Sequence, residues 1–208
     1  MFDYTVRYEK SGRAIYVSHL DFVRAFNRAM RRAHVPVAFS EGFNPHPKLS
    51  FAMALPIFYQ SACELLEVEM TYAVSPDEVL CALNAVLPEG IRILSVQSGK
   101  SRMKELRYAR YEAIPENMPK NVDTFLQMSE ILIDKKTKSG VRETDIRADI
   151  NSVVLRDDRI EMVLSSGSAA NLKPDVVIAA MNRYIDGFSS GECSYTRVAF
   201  LDSALEEI

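Results

Sequence analysis

From Phe2 to Glu9 apolar and polar residues alternate, with Tyr4, Val6 and Tyr8 on one side and Asp3, Thr5, Arg7 and Glu9 on the other. A period of two predicts a half-buried strand. Ser11-Gly12 supplies a turn, and Ser18-His19-Leu20-Asp21 then reads as a helix start in which the serine hydroxyl takes a free amide. The apolar spacing lengthens to the helical period through Phe22, Val23, Phe26, Met30 and Ala33. The helix is expected to run to about His34, because the residue before Pro36 resists helical torsions. Residues 39–50 hold Gly42, Pro45 and Pro47 and predict a loop, followed by a short strand over 49–55. Alternation returns at 64–72, with Leu66, Val68, Met70 and Tyr72 inward. Ser75-Pro76-Asp77-Glu78 opens a second helix, which Pro88-Glu89-Gly90 ends before a strand at 91–96. The order is β-α-β-β-α-β, the ferredoxin-like arrangement.

The remaining chain predicts a similar series: a strand at 106–114, a helix at 122–130 and a short strand at 131–135. A hairpin at 151–155 and 159–164, a helix at 174–185 and a strand at 194–201 follow. Pro76, Asp77, Val79, Ala82 and Asn84 recur 98 positions later as Pro174, Asp175, Val177, Ala180 and Asn182, and Arg7-Tyr8-Glu9 echoes in Arg110-Tyr111-Glu112. The expected fold class is α+β, with tandem duplicated ferredoxin-like halves at 1–100 and 101–208, each with an antiparallel sheet.

Composition adds to this picture mainly by exclusion. At 208 residues, 48% hydrophobic and 25% charged, the chain can build a real core for two small domains. No run of about 18 apolar residues predicts a membrane span, and the opening residues enter a strand directly, so no signal peptide is expected. Cys63, Cys81 and Cys193 are odd in number and far apart, which favours a reducing, cytoplasmic setting over a disulfide framework. No cysteine spacing here ligates an iron–sulfur cluster, and none is dedicated to a metal.

The net charge of −3 argues against wholesale electrostatic capture of nucleic acid, but the first 50 residues are locally basic. Arg24, Arg28, Arg31 and Arg32 fall opposite the apolar stripe of the first helix, a row of planar donors suited to phosphate or carboxylate. Ser40-Glu41-Gly42-Phe43-Asn44-Pro45-His46-Pro47-Lys48 is a loop pre-set by two prolines, which presents Asn44, His46 and Lys48 at small entropic cost. In the second half, Lys135-Lys136-Thr137-Lys138-Ser139-Gly140-Val141-Arg142 and then Asp145-Ile146-Arg147 form a basic segment, expected to be a flexible loop that helps to make a cleft for an anionic partner. His19 and His46 are the candidate acid–base pair for an alternative reading, metal-independent cleavage of RNA. Ser165–Asn171 lacks the pattern of a phosphate-binding loop and reads as a connection.

Ser18-His19-Leu20-Asp21 followed by Ser40-x-Gly42-Phe43-Asn44-Pro45-His46-Pro47 resembles the radical-SAM-linked (radical-SAM-associated) proteins, a bacterial domain family of unknown function. The resemblance extends through Lys136-x-Lys138 and Asp145-Ile146-Arg147 and covers nearly the whole chain. It implies a partner, fused or separately encoded, that carries an iron–sulfur cluster and S-adenosylmethionine, with no cofactor in this chain. The candidate binding residues are then Ser18, His19, Asp21, Arg24, Arg28, Arg31, Arg32, Ser40, Phe43, Asn44, His46, Lys48, Lys136, Lys138, Arg142 and Arg147. The tandem layout is also similar to RNA-processing proteins of the repeat-associated (Cas6-like) type, a likeness of fold alone. The expected function is that of an accessory recognition domain for RNA or another anionic substrate, without catalysis of its own.

Overall fold

The structure, a computed structural model, describes residues 1–137, 140–167 and 169–208. The chain is a mixed α+β protein in two compact units, Met1–Lys104 and Glu105–Ile208.

In the first unit β1 (Phe2–Lys10) is followed by a 3-10 turn (Gly12–Tyr16), α1 (His19–Arg32), β2 (Leu49–Phe51), β3 (Tyr59–Met70), α2 (Pro76–Asn84) and β4 (Ile91–Ser98). The strands lie in the order β4-β1-β3-β2, antiparallel throughout. Alternation in β1 does what its period requires: Tyr4, Val6 and Tyr8 are buried against Phe22, Phe26 and Met30 of α1 and against Leu66, Val68 and Met70 of β3. Each fully buried side chain of this size contributes roughly 1.5–3 kcal/mol, so the helix is held chiefly by its apolar stripe. Ser18 caps α1 as the pattern predicts, its Oγ accepting from the Asp21 amide at 3.2 Å. The helix stops at Arg32, and His34 takes a left-handed φ of 54° before Pro36. At α2 the prediction is met only in part. Pro76 occupies the first turn, but the Ser75 side chain makes no capping hydrogen bond.

The second unit runs β5 (Tyr108–Pro115), α3 (Asp123–Leu126), β6 (Leu132–Thr137), β7 (Gly140–Asp145), β8 (Ile150–Leu155), β9 (Ile160–Ser165), α4 (Pro174–Tyr184) and β10 (Cys193–Leu201). Its sheet has the order β10-β5-β9-β8, again antiparallel. Two expectations are corrected. The helix over 122–130 is a single turn, and Arg147 donates to the carbonyl of its last residue, Leu126, at 2.9 Å. The basic segment is no flexible loop over its described residues. β6 and β7 pair antiparallel from Leu132↔Asp145 to Thr137↔Gly140, as a ribbon of their own.

Candidate functional site

On α1 the residues that face the sheet are Phe22, Phe26, Ala29 and Met30, which turns Arg24, Arg28, Arg31 and Arg32 toward solvent. The four are not equivalent. Arg24 pairs with Asp21 at 3.1 Å, and Asp21 also accepts from the Ser18 hydroxyl at 2.9 Å. Arg32 reaches across to donate to the Val86 carbonyl at 2.7 Å, tying α1 to the end of α2. Arg28 and Arg31 have no ion pair among the described residues. They are the two cations of the row whose donors remain open to a ligand.

The proline-framed loop is closed on itself. Ser40 N donates to the His46 carbonyl at 2.8 Å, and His46 N donates to Ser40 Oγ at 2.9 Å. These bonds, with the Phe39–Pro47 bridge, hold Asn44 and His46 exposed and leave Phe43 fully in solvent at the tip. Lys48 points elsewhere: its Nζ meets Glu69 at 2.8 Å.

The strand register separates this loop from the start of α1. Ala38 N donates to the Glu69 carbonyl and Val37 bridges Met70, at the end of β3 opposite to Ser61 and Glu64. His19 instead lies edge-on to Phe51, 5.7 Å between ring centroids. Among the described residues the ring contact of His19 is with Phe51, and the backbone bonds of His46 are within the loop. The C-terminal end of α1, with Arg31, is the end that shares the loop's side of the sheet.

In the ribbon, Arg142 is exposed opposite Lys135. Lys138 lies outside the described residues, as does the side chain of Lys136. Asp145-Ile146-Arg147 closes the ribbon's base. Asp145 Oδ1 accepts from the amides of Ile131 (2.8 Å) and Arg147 (2.9 Å), Ile146 is buried, and Arg147 donates to Leu126 and Ile150 carbonyls. The amides of Arg147 and Ile131, in that order, hold the Asp145 carboxyl below its ordinary range. These bonds tie the base of the ribbon to α3 and β8.

A group that the sequence pattern did not single out lies at the other end of β1. Lys10 is 2% exposed and Glu64 is 1% exposed, on neighbouring strands. Both occupy inward positions, Lys10 continuing Tyr4-Val6-Tyr8 and Glu64 continuing Met70-Val68-Leu66. A charge at an inward position of an alternating strand is the signal that could have found them. Lys10 Nζ donates to the Val17 carbonyl at 2.9 Å and lies 5.7 Å from the centre of the Phe22 ring. Burial pushes the Lys10 ammonium down from its ordinary pKa, and Glu64 opposes that shift.

Residues 3–174 match the DUF2344 family, described as an uncharacterized protein conserved in bacteria. The match covers well over half of the chain. The protein belongs to DUF2344. Among curated proteins none matches it. Among the described residues of this DUF2344 chain no helix is long and apolar enough to cross a membrane.

The DUF2344 match takes in both α1 and the Lys10–Glu64 pair, beside which His19 stands. Burial lowers the His19 pKa, Glu64 works against that shift and Lys10 adds to it. An unfolded histidine titrates near about 6.5, so below that pH the unfolded state binds more protons than the folded one. The contribution of His19 to stability is complete above that pH and is lost as pH falls through the lowered folded value. His19→Gln is expected to flatten the dependence of the denaturation midpoint on pH below about 6.5, read in a urea series.

The DUF2344 chain also has a groove of about 610 Å³ within its second unit, between β6–β7 and α4. Ile133, Ile146, Leu172 and Val176 give it an apolar floor, and Asp134 and Arg183, 3.7 Å apart, stand on its rim. Its size suits a small ligand, but its rim carries both signs of charge and selects none.

Proposed function

We propose that the chain is an accessory recognition unit that binds RNA or another anionic partner and works in the cytoplasm beside a radical-SAM enzyme. The observation that carries the anionic part is the outward face of α1, where Arg28 and Arg31 stand exposed without an acidic partner among the described residues. A guanidinium held on a helix presents its donors in a fixed fork, the geometry that phosphate and carboxylate accept. The closed loop at 40–46 lends further polar contacts. The partnership is supported by the resemblance of Ser18–Asp21 and of the Asn44-Pro45-His46-Pro47 segment to radical-SAM-linked proteins. In this reading the partner supplies the iron–sulfur cluster and S-adenosylmethionine.

The architecture is read here as a tandem ferredoxin-like duplication. Both units place their strands in the same order, the last beside the first, then the third, then the second, once β6–β7 is set aside as an insertion. Two residues of the sequence repeat also do the same work. Asn84 Oδ1 accepts from Ile93 N at 2.8 Å, while its Nδ2 donates to the Ile93 carbonyl at 3.0 Å. Asn182 Oδ1 accepts from Ser190 N at 2.8 Å, and its Nδ2 donates to Ser190 Oγ at 3.0 Å. Each asparagine pins its helix to the chain returning toward the last strand.

The test is binding to a labelled RNA over a range of salt. Arg28→Ala/Arg31→Ala is expected to weaken binding and to lower the salt slope by about 0.7 for each phosphate that is no longer neutralised. Binding of equal strength and equal salt slope in both proteins removes the anion-binding reading. Co-purification with a radical-SAM protein from the native cell tests the partnership, and its absence there counts against it.

A further inference from the structure

The stripe of α1 that carries the arginines begins with an apolar residue. Leu20, Arg24, Arg28 and Arg31 fall within about 80° of helix arc, and Leu20 is exposed. Immediately before the helix two large rings are displayed to solvent. Tyr16, closing the 3-10 turn, and Phe58, just before β3, are each 64% exposed. Their centroids are 5.7 Å apart and their planes cross at 83°. Ile57 is exposed beside Phe58, and Arg13 is exposed on the same 3-10 turn as Tyr16.

Phe58 is held there against its own preference. Its φ is 72°, left-handed backbone that a bulky aromatic residue seldom adopts. Its amide donates to the Ile15 carbonyl at 2.9 Å, and the next residue, Tyr59, is buried. The backbone is thus fixed on both sides while the ring is kept out of the core. Strain that leaves a large apolar ring in water adds nothing to burial, and such outliers concentrate where a ligand is met. The edge-to-face arrangement matters as well, since it leaves flat faces of the rings uncovered.

We infer that Tyr16 and Phe58 form a stacking platform for unpaired bases, and that the arginines of α1 receive the phosphates of the same strand. The ligand is then a single-stranded polynucleotide. Aromatic faces beside a cationic track are the combination that binds such strands with little regard to sequence. In a duplex the base faces are already stacked on one another and are closed to this platform. An apolar peptide fits less well, because Arg13 and Arg24 interrupt the exposed apolar groups. The inference rests on the reading of α1 as an anion-binding face and narrows it.

The experiment uses the full chain and four fluorescent probes: a mixed-sequence single-stranded RNA, single-stranded DNA of the same sequence, the corresponding RNA duplex, and inorganic polyphosphate. Wild type is expected to bind the single strands at least about tenfold more tightly than the duplex. Tyr16→Ala/Phe58→Ala is expected to lose that margin while its affinity for polyphosphate is unchanged. Arg28→Ala/Arg31→Ala is expected to weaken all four. Phe58→Gly removes the ring and the backbone strain together, so it folds with a Tm no lower than wild type, and its weakened single-strand binding cannot be ascribed to unfolding. Equal affinity for single strands and duplex overturns the inference. So does an aromatic variant that binds RNA like wild type, which leaves the anion-binding reading standing. Binding to none of the four probes overturns both.

Discussion

Glu64→Gln and Lys10→Met, made singly, are each expected to cost about 1–3 kcal/mol of folding free energy. The joint replacement Lys10→Met/Glu64→Leu is expected to recover most of that loss. The two charges are almost wholly removed from water, on adjacent strands and on the helix-facing side of the sheet. Removing one takes from the other an opposite charge that acts on it while leaving it buried, which is the costly state. Removing both exchanges two desolvated ions for apolar volume, often a neutral change. Lys10 also holds the chain entering α1, through the Val17 carbonyl next to the cap residue Ser18. Lys10→Met therefore frees that carbonyl as well, and a small residual loss in the double variant measures that bond at about 1 kcal/mol. Urea midpoints of wild type, Lys10→Met, Glu64→Leu and the double variant close the cycle. A loss in the double variant equal to the sum of the two single losses would show that no coupling exists. The pH dependence gives a second reading. In Glu64→Gln the lysine loses the carboxylate that opposes the effect of burial, so its folded pKa falls further below the unfolded value. The unfolded state then binds more protons across the alkaline range, and stability rises with pH more steeply than in wild type.

The Lys10–Glu64 pair marks a boundary in what the sequence conveys. Alternation predicts β1 and identifies its inward face, and the same count places Lys10 on that face. An alternating pattern tells which way a side chain points, not what charge waits on the neighbouring strand. That depends on the register of β1 against β3, set over some fifty intervening residues. Helix starts were legible for a local reason. Ser18 and the Pro76 and Pro174 positions act through groups within one turn of themselves. The short α3 was not, and the carbonyl of its last residue is met by Arg147, 21 residues further on. Arg147 and Lys48 illustrate the same limit for the candidate site. Both are cations that the sequence offers to a ligand, and the structure pairs one with carbonyls and the other with Glu69. Arg28 and Arg31 remained open because helical spacing alone puts them opposite the apolar stripe. Phe58 had no signal at all, as a left-handed φ is ordinarily announced by glycine or asparagine.

Gly90→Ala is the second substitution with a large expected effect, a loss of about 2–5 kcal/mol. Two terms act at that position. The glycine has a φ of 87°, where an added Cβ strains the backbone, and the Cβ would also strike the Ser11 carbonyl oxygen and press on Ala14 at 3.0 Å. Ser11 cannot withdraw freely, because its amide donates to the Gly90 carbonyl at 2.8 Å. Gly12 separates the two terms. It too has a left-handed φ, 54°, but nothing lies within 4 Å of its missing Cβ. Gly12→Ala should therefore cost only the torsional part, about 1–2 kcal/mol. Thermal unfolding of both variants checks the difference, and equal losses would mean that the clash with Ser11 contributes nothing. The consequence reaches the working surface. Ser11 lies between Lys10, paired with Ile91, and the 3-10 turn that carries Arg13 and Tyr16. A displaced Ser11 moves that turn, so Gly90→Ala is expected to weaken binding of single strands more than binding of polyphosphate, even at a temperature where the protein remains folded. Gly12→Ala, with no close neighbour to push, should lose stability without that bias.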